Sequence, residues 1–283
     1  MFYILSFFIY IFIPHLVDME GYVMNGIYPL FSSSRGNATF IGNEKCGILI
    51  DSGVSYKRLG IAMNRCGISL SSVKAVFITH EHSDHVKGLA MLTKKHDLSV
   101  YGQGITLRNL IDNNAISQYA SISEINNPVN IYGMNITAFD TPHDTEQSCG
   151  YRINFENGRS CAVCTDLGCV TRVVSDALTG TDTVLIEANY DDGMILTGPY
   201  PPFVKQRICS ERGHLSNLDS AKQICRLVSS GTRQIILGHL SQENNTPHFA
   251  DCAVENELSG FVRNGDYILQ VAEVETSGNM VEI

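Results

Sequence analysis

The chain has 283 residues, 44% apolar and 17% charged, an ordinary globular balance that excludes a coiled coil, a collagen-like repeat and wholesale membrane residence. Such a length buries a sizeable core without disulfide staples. Twenty Lys and Arg against 29 Asp and Glu give a net charge of −9, so the overall field repels a polyanion and any nucleic acid must be gripped by a local basic patch.

Residues 2–17 are strongly apolar, but the unbroken stretch ends before Pro14, short of the roughly twenty residues that span a bilayer. The stretch also lacks an early Lys or Arg and a small-residue cleavage site, so it is a poor secretory signal. Residues 1–23 are read as an extension from an upstream start codon, with an ordered apolar arm or a weak membrane anchor as the alternatives. A single domain is expected over 24–283, with no stable membrane partner.

Apolar runs then alternate with amphipathic stretches. Strands are predicted at 48–50, 75–78, 98–101, 131–140, 151–155, 161–165, 183–187, 234–237 and 267–271, and helices at 56–66, 85–95, 104–112, 169–178, 217–229 and 249–260. The helix over 217–229 carries the stripe Leu218, Ala221, Cys225 and Val228, and Ser216 with Asp219 resembles a capping box. Turn signals at Tyr132-Gly133 and Asn157-Gly158 mark antiparallel hairpins inside an otherwise alternating chain. This mixture predicts a layered α/β sandwich rather than one parallel sheet.

The nine cysteines are odd in number and scattered, which argues against a disulfide framework and for a reducing cytoplasm. Cys161 and Cys164 form a CxxC, but inside a predicted strand. Residues three apart there point to opposite faces, so they read as buried thiols.

Chemistry concentrates in Thr79-His80-Glu81-His82-Ser83-Asp84-His85, directly after the strand at 75–78. His80 and His82, two apart in extended chain, project the same way and can share one cation. Asp84 and His85 follow at the turn into a helix and can serve a second. One loop cannot close two sites, so further ligands are expected at later strand ends. His143, Asp166 and His239 stand there, after the predicted strands at 131–140, 161–165 and 234–237. His15, His96 and His248 lie outside every motif and are read as structural.

HxHxDH, then a lone His, an Asp and a late His resemble the metallo-β-lactamase superfamily of hydrolases, from about Phe31 to the C-terminus. Phe31-Ser-Ser-Ser-Arg-Gly-Asn37, Leu49-Ile-Asp-Ser-Gly53, Glu187-Ala-Asn-Tyr-Asp191, the segment from Lys205 to Asn217 and His239-Leu-Ser-Gln-Glu-Asn-Asn245 are similar to its YycJ/WalJ branch. The resemblance implies a four-layer αββα sandwich with a dinuclear site at one sheet edge. It assigns His80, His82 and His143 to one ion, Asp84, His85 and His239 to the other, and Asp166 as the bridge. Asp51 is expected to orient a ligand without binding metal. The implied activity is a five-prime-to-three-prime DNA exonuclease using a metal-bridging hydroxide, with Asp84 and His214 as catalytic residues. Imidazole suits Zn²⁺, whereas carboxylates and a phosphate substrate suit Mn²⁺.

Candidate substrate contacts are His214, Ser216 and Asn217 at a helix N-terminus, Lys205 and Arg207 just upstream, and Ser32, Ser34 and Asn37 in a Gly-containing loop. These meet DNA ends bearing a five-prime phosphate. The Pro-rich stretch 198–203 is read as a rigid wall of the cleft, with Tyr200 or Phe203 available to stack on a base, or as a structural loop. Two other functions fit the same metal chemistry: a hydrolase of a small ester, thioester or lactone, and a non-catalytic regulatory protein stabilised by its metal.

Overall fold

Alternation along the strands sets the layers. In the computed structural model, which describes residues 25–283, Ile48 and Ile50 enter one apolar cluster while Leu49 between them enters another. Ala75 and Phe77 flank Val76 in the same way, and Cys161 and Val163 alternate with Ala162 and Cys164. A strand apolar on both faces must be covered twice, which demands two sheets face to face with helices outside. The expected extension 1–23 lies outside the described residues.

The first sheet contains β1 (Gly26–Ser33), β2 (Gly36–Gly42), β3 (Gly47–Ile50), β4 (Val73–Phe77), β5 (Ser99–Gly102) and β6 (Ser121–Glu124) in chain order. The second contains β7 (Val129–Ile131), β8 (Met134–Asp140), β9 (Cys149–Phe155), β10 (Ser160–Cys164), β11 (Thr183–Glu187), β12 (Gln234–Gly238) and β13 (Ile268–Val271). A C-terminal β14 (Val281–Glu282) returns to the first sheet beside β1. Both sheets open with antiparallel neighbours and continue parallel, from β3 to β6 in one and from β10 to β13 in the other. Helices α1 (Tyr56–Arg65), α2 (Ser83–Val86), α3 (Leu89–Lys95) and α4 (Gly104–Asp112) belong to the first half. The second half holds α5 (Arg172–Leu178), α6 (Asp192–Thr197), α7 (Pro202–Ile208), α8 (Asn217–Ser229) and α9 (Pro247–Glu257). This is the expected αββα sandwich. No described helix is long and apolar enough to cross a membrane.

Several local expectations change. The predicted helix 85–95 is two helices, parted where Gly88 packs on the Val54 carbonyl and Ser52 too closely for a side chain. The supposed serine loop is the tight β1–β2 hairpin, so Ser32 and Asn37 are strand residues and Ser34 alone sits at the exposed turn. The Pro-rich stretch ends in α7, with Pro202 in its first turn, where a missing N–H costs nothing. Cys161 and Cys164 do face opposite layers, and all nine cysteines are free thiols.

The two sheets are tied together at one edge. The Tyr151 hydroxyl donates to the Ile78 carbonyl at 2.6 Å, Cys149 N–H to the Thr79 carbonyl at 3.1 Å, and His239 N–H to Ser32 Oγ at 2.8 Å. At the same edge Gly53 lies against the Asp84 carbonyl and the Asn37 backbone nitrogen, which a Cβ would strike. Because both obstacles are backbone, Gly53→Ala is expected to lower Tm by roughly 5 °C or more. Gly260→Ala, which adds its methyl to open space, serves as the control and leaves Tm unchanged in the same thermal melts.

Candidate metal centre

Each element delivers its polar residue just past a strand end. Asp51 follows β3, His80 and His82 follow β4, His143 follows β8, Asp166 follows β10 and His239 follows β12. Asp51 (φ 62°), Asp166 (φ 58°) and His239 (φ 55°) adopt left-handed backbone, which costs an L-residue about 1–2 kcal/mol. Three such residues at one edge mark a site held against local preference.

The imidazoles share one arrangement. His85 Nδ1 donates to Asp51 Oδ2 at 2.8 Å, His143 Nδ1 to the Gly213 carbonyl at 3.0 Å, and His239 Nδ1 to Asn37 Oδ1 at 3.0 Å. His80 Nδ1 lies 3.0 Å from Thr79 Oγ1, which itself donates to Asp51 Oδ2 at 2.8 Å. With Nδ1 occupied outward, every Nε2 is turned inward, the geometry of metal-ligating histidines. His85 Nε2 and His239 Nε2 each lie 3.3 Å from an Asp166 oxygen, and His143 Nε2 lies 3.7 Å from one.

Burial removes water as the alternative partner. His80, His85, His143, Asp166 and His239 are all buried, yet His80 Nε2, His239 Nε2 and Asp166 Oδ2 have no hydrogen-bond partner among the described residues. Unpaired buried groups are costly, and a cation satisfies all three at once. Burial, reinforced by His85, holds His80 well below its usual pKa, and burial also lowers His143, so both stay neutral as ligands must. Burial opposes charge on His85 too, but Asp166 and Asp51 on either side raise it well above the usual value. Asp166 is itself buried, which favours its neutral form, but His239 and His85 outweigh that and hold it well below the carboxylate range.

His80, His82 and His143 offer nitrogens within 4.8 Å of one another, the full first set expected from sequence. The second set is arranged differently. His85 groups with His80 and Asp166, whereas His239 groups with Asp166, Glu187 and His214. Asp84 belongs to neither group and stands at the rim, its Oδ2 3.6 Å from His85 Nε2. Asp166 is common to these two groups and is absent from the group of His80, His82 and His143, where its nearest approach is 3.7 Å to His143 Nε2.

Glu187 opens one of the branch-like motifs, but motif reading gives it no role at the site. It is fully buried at the end of β11, accepts from His214 Nδ1 at 2.7 Å and from Leu167 N–H at 2.9 Å, and so orients the ring that faces Asp166. Burial disfavours protonated His214, but Glu187, with Asp166 and Asp144 behind it, raises its pKa to about 9. An acid closing an apolar strand run was the available signal, because a buried carboxylate needs a partner. Asp144 was also missed. Its Oδ1 lies 3.2 Å from His143 Nε2 and 3.7 Å from His82 Nε2, while Arg207 Nε donates to its other oxygen.

Several candidate substrate contacts are already committed within the protein. Ser32 Oγ accepts from His239 N–H, and Asn37 places its amide nitrogen 3.3 Å from Asp84 Oδ2 and 3.0 Å from His85 Nε2. Ser216 caps α8 by accepting from Asp219 N–H, and Asn217 exchanges amide hydrogen bonds with Asn245. Lys205 donates to the Leu196 carbonyl at 2.7 Å on the surface. Arg212 donates to the His143 and Thr145 carbonyls and fixes that loop. Beside His82 a cavity of about 580 Å³ opens between Glu81, Asn109, Asp144 and Arg212, room enough for a small ligand.

Residues 47–240 match the family model described as the beta-lactamase superfamily domain. The chain is 32% identical to exodeoxyribonuclease YycJ of Bacillus anthracis over 233 residues, 81% of this chain and 87% of that one. It is also 32% identical to exodeoxyribonuclease WalJ of Streptococcus pneumoniae over 234 residues, with the same shares covered. The metallo-β-lactamase fold protein YhfI of Bacillus subtilis has the same fold, with a TM-score of 0.69 at 14% identity, covering 92% of this chain and 99% of that one.

Asp51 holds His85 and both the N–H and hydroxyl of Thr79 without being a member of the compact ligand groups. Asp51→Asn, which loses the acceptor facing His85 Nδ1, is expected to weaken metal binding about 10–100-fold while the chain stays folded. Competition against a chromophoric chelator, with circular dichroism on the same samples, measures both; undiminished affinity would remove Asp51 from any role in orienting a ligand.

Proposed function

Because the chain belongs to the β-lactamase superfamily, in the branch of the YycJ and WalJ exodeoxyribonucleases, we propose that this metal-dependent hydrolase is a phosphodiesterase that degrades DNA from five-prime-phosphorylated ends, five-prime to three-prime. The observation that carries the reading is the convergence of four imidazoles, each fixed through Nδ1, on the buried Asp166 carboxylate. His80, His82 and His143 hold one divalent ion, Zn²⁺ or Mn²⁺, in this assignment. Asp84, His85 and His239 would hold the other, with Asp166 a ligand to share. Divalent ions held there would supply Lewis acidity, lowering the pKa of a water and neutralising charge on the phosphate oxygens.

The protein's own groups do the rest. Asp51 holds His85 through Nδ1, and Asn37 holds His239 in the same way, so in each ring Nε2 is the nitrogen turned inward. Asp84, at the rim, completes the second set and borders the entering phosphodiester. His214, held by Glu187 at 2.7 Å, gives a proton from Nε2 to the departing oxygen. Arg207 offers positive charge at the mouth of a chain that is otherwise acidic, and Ser34 is the one serine of the hairpin turn left free to meet an end phosphate. The nine free thiols support work in the cytoplasm.

Purified protein with Mn²⁺ is expected to release mononucleotides from five-prime-phosphorylated duplex DNA, and chelator to stop it. His82→Ala removes one ligand from a half-exposed position and is expected to lower turnover by 10³-fold or more, on the order of a lost catalytic metal site, with little loss of Tm. Intact DNA alongside rapid turnover of thioester or lactone substrates would replace the nuclease reading with that of a small-molecule hydrolase.

A further inference from the structure

Helix α7 is placed beside the metal centre yet buries none of its own residues. Seven residues cannot sustain a helix by propensity alone, so its position rests on a few ties. Arg207 is paired with Asp144, Lys205 Nζ donates to the Leu196 carbonyl at 2.7 Å, and the Ile208 carbonyl accepts from His214 N–H at 2.8 Å. Two of these ties lead directly to the site, through Asp144 and His214.

On that helix Phe203 is 73% exposed. Residues four apart share a helix face, so Phe203 flanks Arg207 at a rise of about 6 Å along the axis. Arg207 reaches Asp144, whose other oxygen is 3.2 Å from His143 Nε2. An aromatic ring therefore stands in water one turn from a cation paired with Asp144, which in turn touches His143. The surrounding charge is also unlike the rest of the chain. Between 201 and 212 lie Lys205, Arg207 and Arg212 against Glu211 alone, within a protein of net charge −9.

We infer that α7 is a platform for single-stranded DNA at the mouth of the site, with Arg207 against the phosphate backbone and Phe203 stacked on one base. The inference rests on the nuclease reading and adds to it a contact that depends on the base next to the reacting end. Cations tracking the backbone beside an aromatic face are what an unpaired strand requires, since every base has a π-face to stack. The exposed ring makes no contact of that kind among the described residues and gains one when the strand is seated.

The test compares wild type, Phe203→Ala and Phe203→Trp, with Mn²⁺, on a five-prime-phosphorylated single-stranded oligonucleotide and on bis(p-nitrophenyl) phosphate. Phe203→Ala is expected to raise KM for the oligonucleotide about tenfold, to leave kcat and the small diester unchanged, and to be rescued by Trp. Moving an abasic site through the first nucleotides is expected to reveal one position that raises the wild-type KM equally and adds nothing in Phe203→Ala. Unchanged KM in Phe203→Ala, or abasic and alanine effects that simply add, overturns the inference. So does a change of oligomeric state by sedimentation in Phe203→Ala with KM unaltered, which makes the face a protein contact. If wild type hydrolyses the small diester but neither the oligonucleotide nor its duplex, the nuclease reading itself fails, which is a different outcome from a silent Phe203→Ala.

Discussion

Four buried imidazoles point their free nitrogens at one buried carboxylate, and the remainder of the structure is organised around keeping them there. A histidine whose Nδ1 is bonded outward has lost its rotational and tautomeric choice. The acceptors that impose this are Asp51, Thr79 and Asn37 from the first half and the Gly213 carbonyl from the loop before α8 in the second. None of them faces the centre as a member of its compact groups, yet each decides which nitrogen does. Inside a low-dielectric seam, where unmatched charge is expensive, such an arrangement has no stable meaning without cations to receive the lone pairs.

The two halves of the sandwich supply what that constraint needs. Parallel strands in each sheet direct their ends to a common edge, and the hydrogen bonds from Tyr151, Cys149 and His239 across the seam fix one set of ends against the other. Left-handed backbone at Asp51, Asp166 and His239 then turns each chain sharply enough to aim its side chain inward. The apolar clusters inside and outside each sheet offset these local costs, which is the usual division between a scaffold and a site.

Much of this was legible in the sequence, for identifiable reasons. Buried strands such as 183–187 and 234–237 are short apolar runs with clear ends, and HxHxDH places like groups on one side of an extended chain. The β1–β2 hairpin escaped notice because Ser32, Ser33 and Asn37 are polar residues in a buried strand pair, and their burial follows from tertiary bonds to His239 and Asp84 that no local pattern displays. The motif that begins at Glu187 is legible, but the pairing of that carboxylate with His214 is a tertiary contact that no local pattern displays. Helix α7 was hidden by the prolines before it and by its lack of any apolar stripe, since it is held by one ion pair and by hydrogen bonds rather than by a buried face. The second ligand set was only partly readable, because Asp84 stands outside the compact groups and meets His239 through Asn37, a contact between distant segments.

Counting and locating bound metal tests the central claim most directly. Protein stripped with chelator, reloaded with Mn²⁺ or Zn²⁺ and crystallised should contain two ions per chain by elemental analysis. Anomalous scattering should put one against His80, His82 and His143 and the other beside His85 and His239, with Asp166 touching both. A single ion, none, or ions bound elsewhere while the inward nitrogens of His80 and His239 remain uncoordinated would contradict the account.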